Sequence, residues 1–251
     1  MATLEVKQLS VQVAGSKLLN NISFALQPGD ICAVVGPNGA GKSSLLAAIV
    51  GDLKLSGGSV AIAGSEARAK CLAFLPQFSL LNFPFTVSEV VALGRIPHST
   101  GNAIDQHIST AAMAAMDISE LADRPYTQLS GGEKQRTQLA RVMSQIWRAE
   151  DAAQRLLLLD EPTTALDLGH QQQLMAALEK FAQCGVAVLM VVHDINIAAK
   201  YASHLLAIAD GHCLAQGETT KILSEQLLQQ LFNANLKLYI DPASQRPSVI
   251  L

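Results

Sequence analysis

The stretch that decides the fold reads Gly36-Pro37-Asn38-Gly39-Ala40-Gly41-Lys42-Ser43, with Ser44 directly after it. It follows the apolar run Ile31-Cys32-Ala33-Val34-Val35 and precedes a helical pattern over residues 43–50. The stretch fits G-x-x-x-x-G-K-[ST], in which glycines let backbone N–H groups converge on phosphate oxygens without interference from Cβ atoms. In this pattern Lys42 can reach the outer phosphates, and the Ser43 hydroxyl can bind Mg²⁺. The strand–loop–helix context therefore predicts a nucleoside triphosphate site.

Buried strands and helices alternate along the rest of the chain. The apolar runs Leu156–Leu159, Val186–Val192 and Leu205–Ala209 are typical of strands that are covered on both faces. Helical patterns separate these runs, whereas the first 30 residues alternate in short bursts typical of strands and hairpins. The sequence therefore predicts an α/β fold of the P-loop type, with a mainly parallel core sheet and an antiparallel β subdomain.

One segment departs from this alternation. From about residue 86 to 128 the chain has no buried strand run and is rich in helix formers, which predicts a helical insertion. The length of 251 residues favours one large domain. We expect a single nucleotide-binding domain over 1–240, with a helical subdomain at about 86–150 and a loose tail over 241–251.

Composition excludes several classes of protein. Hydrophobic residues make up 49% of the chain, which excludes a disordered protein. The net charge of −3, with no run of Lys or Arg, disfavours binding to nucleic acid. Four scattered cysteines indicate a reducing compartment, and the longest apolar stretch has seven residues, against the ~20 that span a bilayer. We expect a soluble cytoplasmic chain whose membrane role comes through another subunit.

Polar side chains follow two of the predicted strands. Ligands bind at the carboxyl ends of strands in open parallel sheets, so Asp160 is predicted to hold Mg²⁺ and Glu161 to polarise an attacking water. His193 directly follows the Val186–Val192 run and can hydrogen-bond the γ-phosphate. Gln77 precedes the helical insertion, and its amide can bind Mg²⁺ or the water. Glu161, His193 and Gln77 form the predicted catalytic set.

A second anion site is predicted at Leu129-Ser130-Gly131-Gly132-Glu133, which opens another helix. Backbone N–H groups at a helix start carry partial positive charge and bind anions. The chain thus has two phosphate sites but only one lysine-containing loop. This combination predicts a symmetric homodimer in which the second site of one copy covers the nucleotide of the other.

Taken together and in this order, these elements resemble the nucleotide-binding subunit of an ATP-binding-cassette (ABC) transporter over roughly residues 3–240. The phosphate loop resembles Walker A, Gln77 the Q-loop and Leu129–Glu133 the family signature. Leu156–Glu161 resembles Walker B, Ala165-Leu166-Asp167 the D-loop, and His193 the switch histidine. The resemblance implies a transport ATPase that uses ATP and Mg²⁺, with a magnesium set of Ser43, Gln77 and Asp160. It implies nucleotide contacts from Gly36, Pro37, Asn38, Gly39, Ala40, Gly41, Lys42, Ser43, Ser44, Ser130, Gly131, Gly132, Glu133 and Asp167.

The resemblance also implies partners and a location. It implies a second copy of the chain, a membrane permease dimer and a peripheral position on the cytoplasmic face of the bacterial inner membrane. Phe83–Val91 and Gly94–His98 are similar to cassettes that serve iron-siderophore, vitamin B12 and haem importers. Ser130 and Asp160 are 30 residues apart, more than is common, and the extra stretch Gln145–Asp151 resembles haemin-import cassettes. Haemin is therefore the implied cargo, with a periplasmic haem-binding protein as an indirect partner.

Alternatives stay open at this point. The cargo can instead be a ferric siderophore or vitamin B12. A further hypothesis for the protein as a whole is a soluble ABC ATPase of iron–sulfur cluster assembly. A nucleic-acid-associated ABC protein or a pure nucleotide sensor fits less well. Two departures from the family pattern also stand out. Leu9–Val13 holds no aromatic residue to stack on adenine, and the signature ends in Glu133 where Gln is frequent.

Overall fold

The structure, a computed structural model, describes residues 1–64, 68–77, 83–242 and 246–250. It divides into two compact units. Unit 1 comprises residues 1–63 and 187–251, and unit 2 comprises residues 64–186. In the described part of the chain, no helix has both the length and the apolar character needed to cross a lipid bilayer.

Unit 1 contains an antiparallel sheet and a mainly parallel one. In the antiparallel sheet the central strand β1 (Leu4–Val13) pairs with β2 (Ser16–Leu26) and with β4 (Gly57–Ile62). In the other, β3 (Ile31–Val35) is parallel to β7 (Val186–Val191) and to β8 (His204–Ala209), and β9 (His212–Glu218) is antiparallel to β8. Every residue of β3 is buried, as the uninterrupted apolar run predicts.

Four helices and a hairpin complete unit 1. The helices are α1 (Lys42–Val50), α7 (Ile195–Tyr201), α8 (Thr219–Ile222) and α9 (Glu225–Phe232). The strands β10 (Lys237–Ile240) and β11 (Pro247–Ile250) pair in antiparallel fashion.

The end of the chain is tied to α7 by one amide side chain. Asn196 Nδ2 donates to the Val249 carbonyl at 3.0 Å, and the Val249 N–H donates to Asn196 Oδ1 at 2.7 Å. The expected loose tail therefore contains an ordered strand over 247–250, while residues 243–245 and 251 lie outside the described part of the chain.

Unit 2 holds two parallel strands and most of the helices. Its strands β5 (Leu72–Leu75) and β6 (Arg155–Asp160) are parallel neighbours, and its helices are α2 (Arg68–Cys71), α3 (Val87–Ala92), α4 (Asn102–Ala115), α5 (Gly131–Gln145) and α6 (Leu168–Gln183). Two of these helices, α3 and α4, lie within the segment predicted as a helical insertion, and α5 lies within the wider helical subdomain expected at about 86–150. Its first helix starts with a capping box, because the Thr86 hydroxyl accepts from the Glu89 N–H and the Glu89 carboxylate accepts from the Thr86 N–H.

A tight backbone approach joins the start of the insertion to α5. Gly94 lies in a 3₁₀ turn over Leu93–Arg95, and a Cβ atom added to it would lie 2.2 Å from both the Arg141 carbonyl oxygen and Ser144 Oγ. No side chain fits in that space, so only glycine allows the turn to approach α5 this closely.

A buried ionic network follows directly after Gly94. Arg95 is only 3% exposed, and its guanidinium donates to Asp105 at 2.9 Å, to Asp151 at 2.8 Å and to the Ser144 carbonyl at 2.9 Å. His98 Nδ1 lies 3.5 Å from the same Asp151 carboxylate, and burial is the main cause that lowers the pKa of this histidine. Since Asp151 belongs to the extra stretch, the network fastens that stretch to the insertion.

Candidate functional site

The phosphate loop of unit 1 passes against backbone on two sides. Gly36 has φ +154°, and a Cβ atom there would lie 1.9 Å from the Ile208 carbonyl oxygen of β8. Gly41 has φ +99°, and its Cβ would lie 2.8 Å from the Leu18 carbonyl oxygen of β2. These approaches exclude any side chain, so both glycines are required by the position of the loop.

The lysine of this loop is folded back over it. Lys42 is 6% exposed, and its Nζ donates to the carbonyls of Gly36 and Pro37, both at 2.8 Å. Helix α1 begins at Lys42 and has no acidic residue in its first turn, so no carboxylate of that turn offsets the partial positive charge of its N-terminal N–H groups. Ser43 is exposed and Ser44 half-buried in that same turn. The arrangement is suited to binding a phosphate group.

His193 also belongs to unit 1. It follows β7 and is exposed. The next residue, Asp194, caps α7, because its carboxylate accepts from the Asn196 N–H at 2.8 Å. The histidine is thus held in a short turn between a buried strand and a capped helix.

In unit 2 the predicted carboxylates Asp160 and Glu161 lie at the carboxyl end of β6. Asp160 is the last residue of this strand and is 4% exposed. Glu161 is half-buried and has φ +53°, a left-handed conformation that costs a residue with a Cβ atom some backbone strain. The turn that holds it is closed by the Thr164 N–H, which donates to the Glu161 carbonyl at 3.2 Å. Strain of this kind is concentrated at functional sites.

The signature segment of unit 2 starts α5 with a second capping box. The Ser130 hydroxyl accepts from the Glu133 N–H at 3.3 Å, and the Glu133 carboxylate accepts from the Ser130 N–H at 2.7 Å. Arg124 also pairs with this carboxylate at 3.3 Å. These contacts, the Ser130 N–H foremost, lower the pKa of Glu133. The structure thus gives Glu133 a local role that the sequence analysis left without explanation.

The same segment lies against the turn that follows Glu161. A Cβ atom on Gly132 would lie 2.9 Å from the Ala165 carbonyl oxygen, and Gln135 Nε2 donates to the Pro162 carbonyl at 3.1 Å. Ala165 itself has φ +65°. The structure therefore brings the predicted signature and the predicted D-loop together within one unit.

Asp167 has a structural role at the start of α6. Its carboxylate accepts from the His170 N–H and lies 2.8 Å from the His170 ring nitrogen Nδ1, and the backbone bond is the main cause that lowers the pKa of Asp167. Neither His170 nor Gln135 was among the predicted residues. An Asp just before a helical pattern is an N-cap signal, and it would have identified the capping role of Asp167.

The predicted residues are thus distributed over both units. Unit 1 carries the phosphate loop with Ser44 and His193, and unit 2 carries Gln77, Ser130–Glu133, Asp160, Glu161 and Asp167. Gln77 is exposed just after β5, and its following neighbours 78–82 lie outside the described part of the chain.

Comparison with known proteins agrees with this set of elements. The family model described as "ABC transporter" matches residues 19–164. The chain belongs to the ABC transporter family. The ABC-type P-loop fold predicted from the sequence is therefore confirmed, with parallel strands, an antiparallel sheet and helices as expected.

Relatives of this ABC protein extend over almost its whole length. A hemin import ATP-binding protein, HmuV, of Pseudomonas entomophila is 44% identical over 98% of this chain and 99% of its own. The HmuV protein of Gloeobacter violaceus is also 44% identical, over 98% of this chain and 93% of its own. A solved metal-chelate type ABC transporter in an inward-facing conformation is 28% identical, with a TM-score of 0.83 over 99% of this chain and 96% of that one.

Proposed function

We propose that this chain binds and hydrolyses ATP to energise the import of haemin through a membrane permease. The observation that carries the ATPase function is the phosphate loop, in which backbone crowding at Gly36 and Gly41 leaves room for glycine alone while Lys42 lies over the loop. Similarity to HmuV proteins at 44% identity supports haemin as the cargo. The proposal of ATP hydrolysis therefore rests on the phosphate loop, and the proposal of haemin as the cargo rests on similarity.

The triphosphate binds at residues 36–44 in this proposal. The N–H groups at the start of α1 and the Lys42 ammonium neutralise its charge. Ser43, Gln77 and Asp160 supply a hydroxyl, an amide and a carboxylate, all of which are oxygen donors suited to Mg²⁺. In the described part of the chain no cluster of three or more His, Cys, Asp or Glu side chains could hold a metal. The ion would accordingly take its remaining ligands from phosphates and water, and when bound it supplies charge neutralisation.

Glu161 is proposed to act as the general base. A carboxylate can accept a proton from the attacking water, and Glu161 follows directly after β6 with a left-handed backbone that is typical of functional sites. His193 is proposed to hydrogen-bond the γ-phosphate, and Gln77 to contact the metal or the water.

Catalysis in this proposal requires two copies of the chain. Ser130, Gly131, Gly132 and Glu133 of one copy cover the ATP bound to the phosphate loop of the other, with Asp167 at the same interface. ATP then favours the closed dimer, and hydrolysis removes the bridging phosphate so that the dimer opens. The permease would receive this motion at the cytoplasmic face of the inner membrane, and a periplasmic haem-binding protein would deliver the cargo.

The substitution Glu161→Gln tests the ATPase mechanism. It retains size and hydrogen bonding but removes the base, so turnover should fall by at least about a hundredfold while ATP binding remains. ATPase assays and ATP-dependent dimer formation in size-exclusion chromatography would measure both effects. The matched control Glu179→Gln, on α6, should keep normal turnover. Near-normal turnover in Glu161→Gln would contradict the assignment.

Transport in proteoliposomes tests the cargo. The chain would be reconstituted with its permease and binding protein, and uptake of haemin, ferric siderophore and vitamin B12 would be compared. We expect ATP-dependent uptake of haemin and little of the others. Preference for a different metal chelate would favour the broader group to which the 28% identical transporter belongs.

A further inference from the structure

Unit 2 contains a pocket of about 440 Å³ that the proposed transport cycle does not use. Its walls come from α4, from α6, and from the end of α5 with the residues after it. Alanine side chains of α4 and α6 form much of the lining, together with Met143, Trp147 and Phe181. The two aromatic rings meet edge to face with centroids 5.1 Å apart. We call this feature the α4–α6 pocket, and both its size and its apolar walls are typical of small-molecule sites.

A buried cation lies in the lining of the pocket. Arg155 is 3% exposed, and its terminal nitrogens donate to the carbonyls of Ile146 and Trp147 at 3.2 and 2.8 Å and to that of Cys184. It therefore caps the C-terminal ends of α5 and α6. Its Nε–H is buried and has no acceptor among the described residues. A buried donor on a charged group strongly favours an additional acceptor.

The charges around the pocket are predominantly positive. Lys180, exposed in the last turn of α6, is a second cation of the lining, and none of the described lining residues is acidic. The nearby acids Glu150 and Asp151 are paired with other arginines, Arg148 and Arg95. Each helix C-terminus offsets only about half a unit charge. Two cations beside two helix ends therefore leave about one positive charge to be balanced.

We propose that the α4–α6 pocket binds a small monocarboxylate with an apolar body. The apolar body lies against Trp147, Phe181 and the alanines, where it is removed from water. The carboxylate lies beside the Arg155 guanidinium and faces the Lys180 ammonium, which is a charge-assisted arrangement. The body of the ligand can be an acyl chain or an aromatic ring, because the walls offer contacts to both.

The chain carries its own probe for this binding, because Trp147 is the only tryptophan in the sequence. Decanoate would be titrated into the purified full-length chain while tryptophan emission is recorded. We expect a saturable change, and at least about tenfold weaker binding of 1-decanol, which has the same body without the charge. Competition by 2-naphthoate and by octanoate against decanoate would then distinguish an aromatic from an acyl ligand.

Three variants separate the pocket from non-specific binding. Lys180→Gln should weaken decanoate several-fold and leave 1-decanol unchanged, while the exposed Lys237→Gln in unit 1 should change neither. Ala114→Leu, on the exposed side of α4, fills the pocket and should abolish binding of both. These positions avoid Arg155, whose replacement removes two helix caps. Equal affinity for decanoate and 1-decanol, unchanged binding in Ala114→Leu, or no saturable signal with decanoate would each overturn the proposal.

Discussion

At the scale of single residues, Glu133 shows how one side chain can stabilise a helix start beside a predicted phosphate site. Its carboxylate accepts from the Ser130 N–H at 2.7 Å and pairs with Arg124 at 3.3 Å. Two contacts thus partly compensate a negative charge that the sequence analysis placed next to a phosphate. Gln can accept the same backbone bond, so the difference between the two residues lies in charge.

This charge predicts a pH-dependent contribution to stability. The pKa of Glu133 lies below its usual value of 4.5 in the folded chain, so the contribution is present above about pH 4.5 and is lost as the pH falls through the folded pKa. Glu133→Gln should lower the free energy of unfolding at pH 7 by about 0.5 to 1 kcal/mol, with the difference shrinking towards pH 3. Urea unfolding at several pH values measures this. A difference that grows on acidification would contradict the role.

At the scale of elements, the Arg95 network connects segments that are far apart in sequence. Asp151 pairs with an arginine 56 positions earlier and lies beside His98, so the extra stretch is part of the folded insertion. The exposed Ile96 lies between the two basic residues of this network. The network therefore fixes the backbone on both sides of an apolar side chain that faces solvent.

Removing Asp151 leaves a buried guanidinium with less compensation. Asp151→Ala should lower the free energy of unfolding by about 3 kcal/mol. The Arg95 guanidinium would stay buried without this partner, in an interior that solvates its charge poorly. The neighbouring substitution Glu150→Ala removes a carboxylate that is 71% exposed and should leave the free energy of unfolding nearly unchanged. Chemical denaturation of both variants checks the contrast. Equal losses would show that Asp151 has no special role.

The sequence predicted structure that depends on local contacts and missed contacts between distant segments. Contiguous patterns predicted β3, the phosphate loop and α1, because each depends on neighbours in the chain. The pattern Ser130-x-x-Glu133 also carried a capping-box signal that was overlooked. Contacts such as Arg95 with Asp151, or Asn196 with Val249, were not predictable, because the sequence does not state which distant segments meet. The ordered strand β11 was missed for that reason.

At the scale of the whole molecule, nucleotide binding should stabilise the folded chain. A ligand that binds only the folded state at a hundred times its Kd adds about 2.7 kcal/mol to the free energy of unfolding. We expect Mg–ATP to give a gain of this order, and Lys42→Ala to remove most of it. Thermal unfolding with and without nucleotide measures the gain. Lys54→Ala, an exposed lysine of the same unit, should retain it, and a full gain in Lys42→Ala would contradict the role of the loop.

The Ser130 hydroxyl can form more hydrogen bonds than the capping bond that it accepts. It accepts from the Glu133 N–H through one lone pair, while its own proton is shared with the Glu133 carboxylate, a bond that helps to lower the pKa of Glu133. A phosphate oxygen that arrives from another copy would compete with that carboxylate for the proton and would leave the bond from the Glu133 N–H in place. Repeated docking and release would then leave the first turn of α5 wound throughout. Fraying of that helix need not be part of the working cycle.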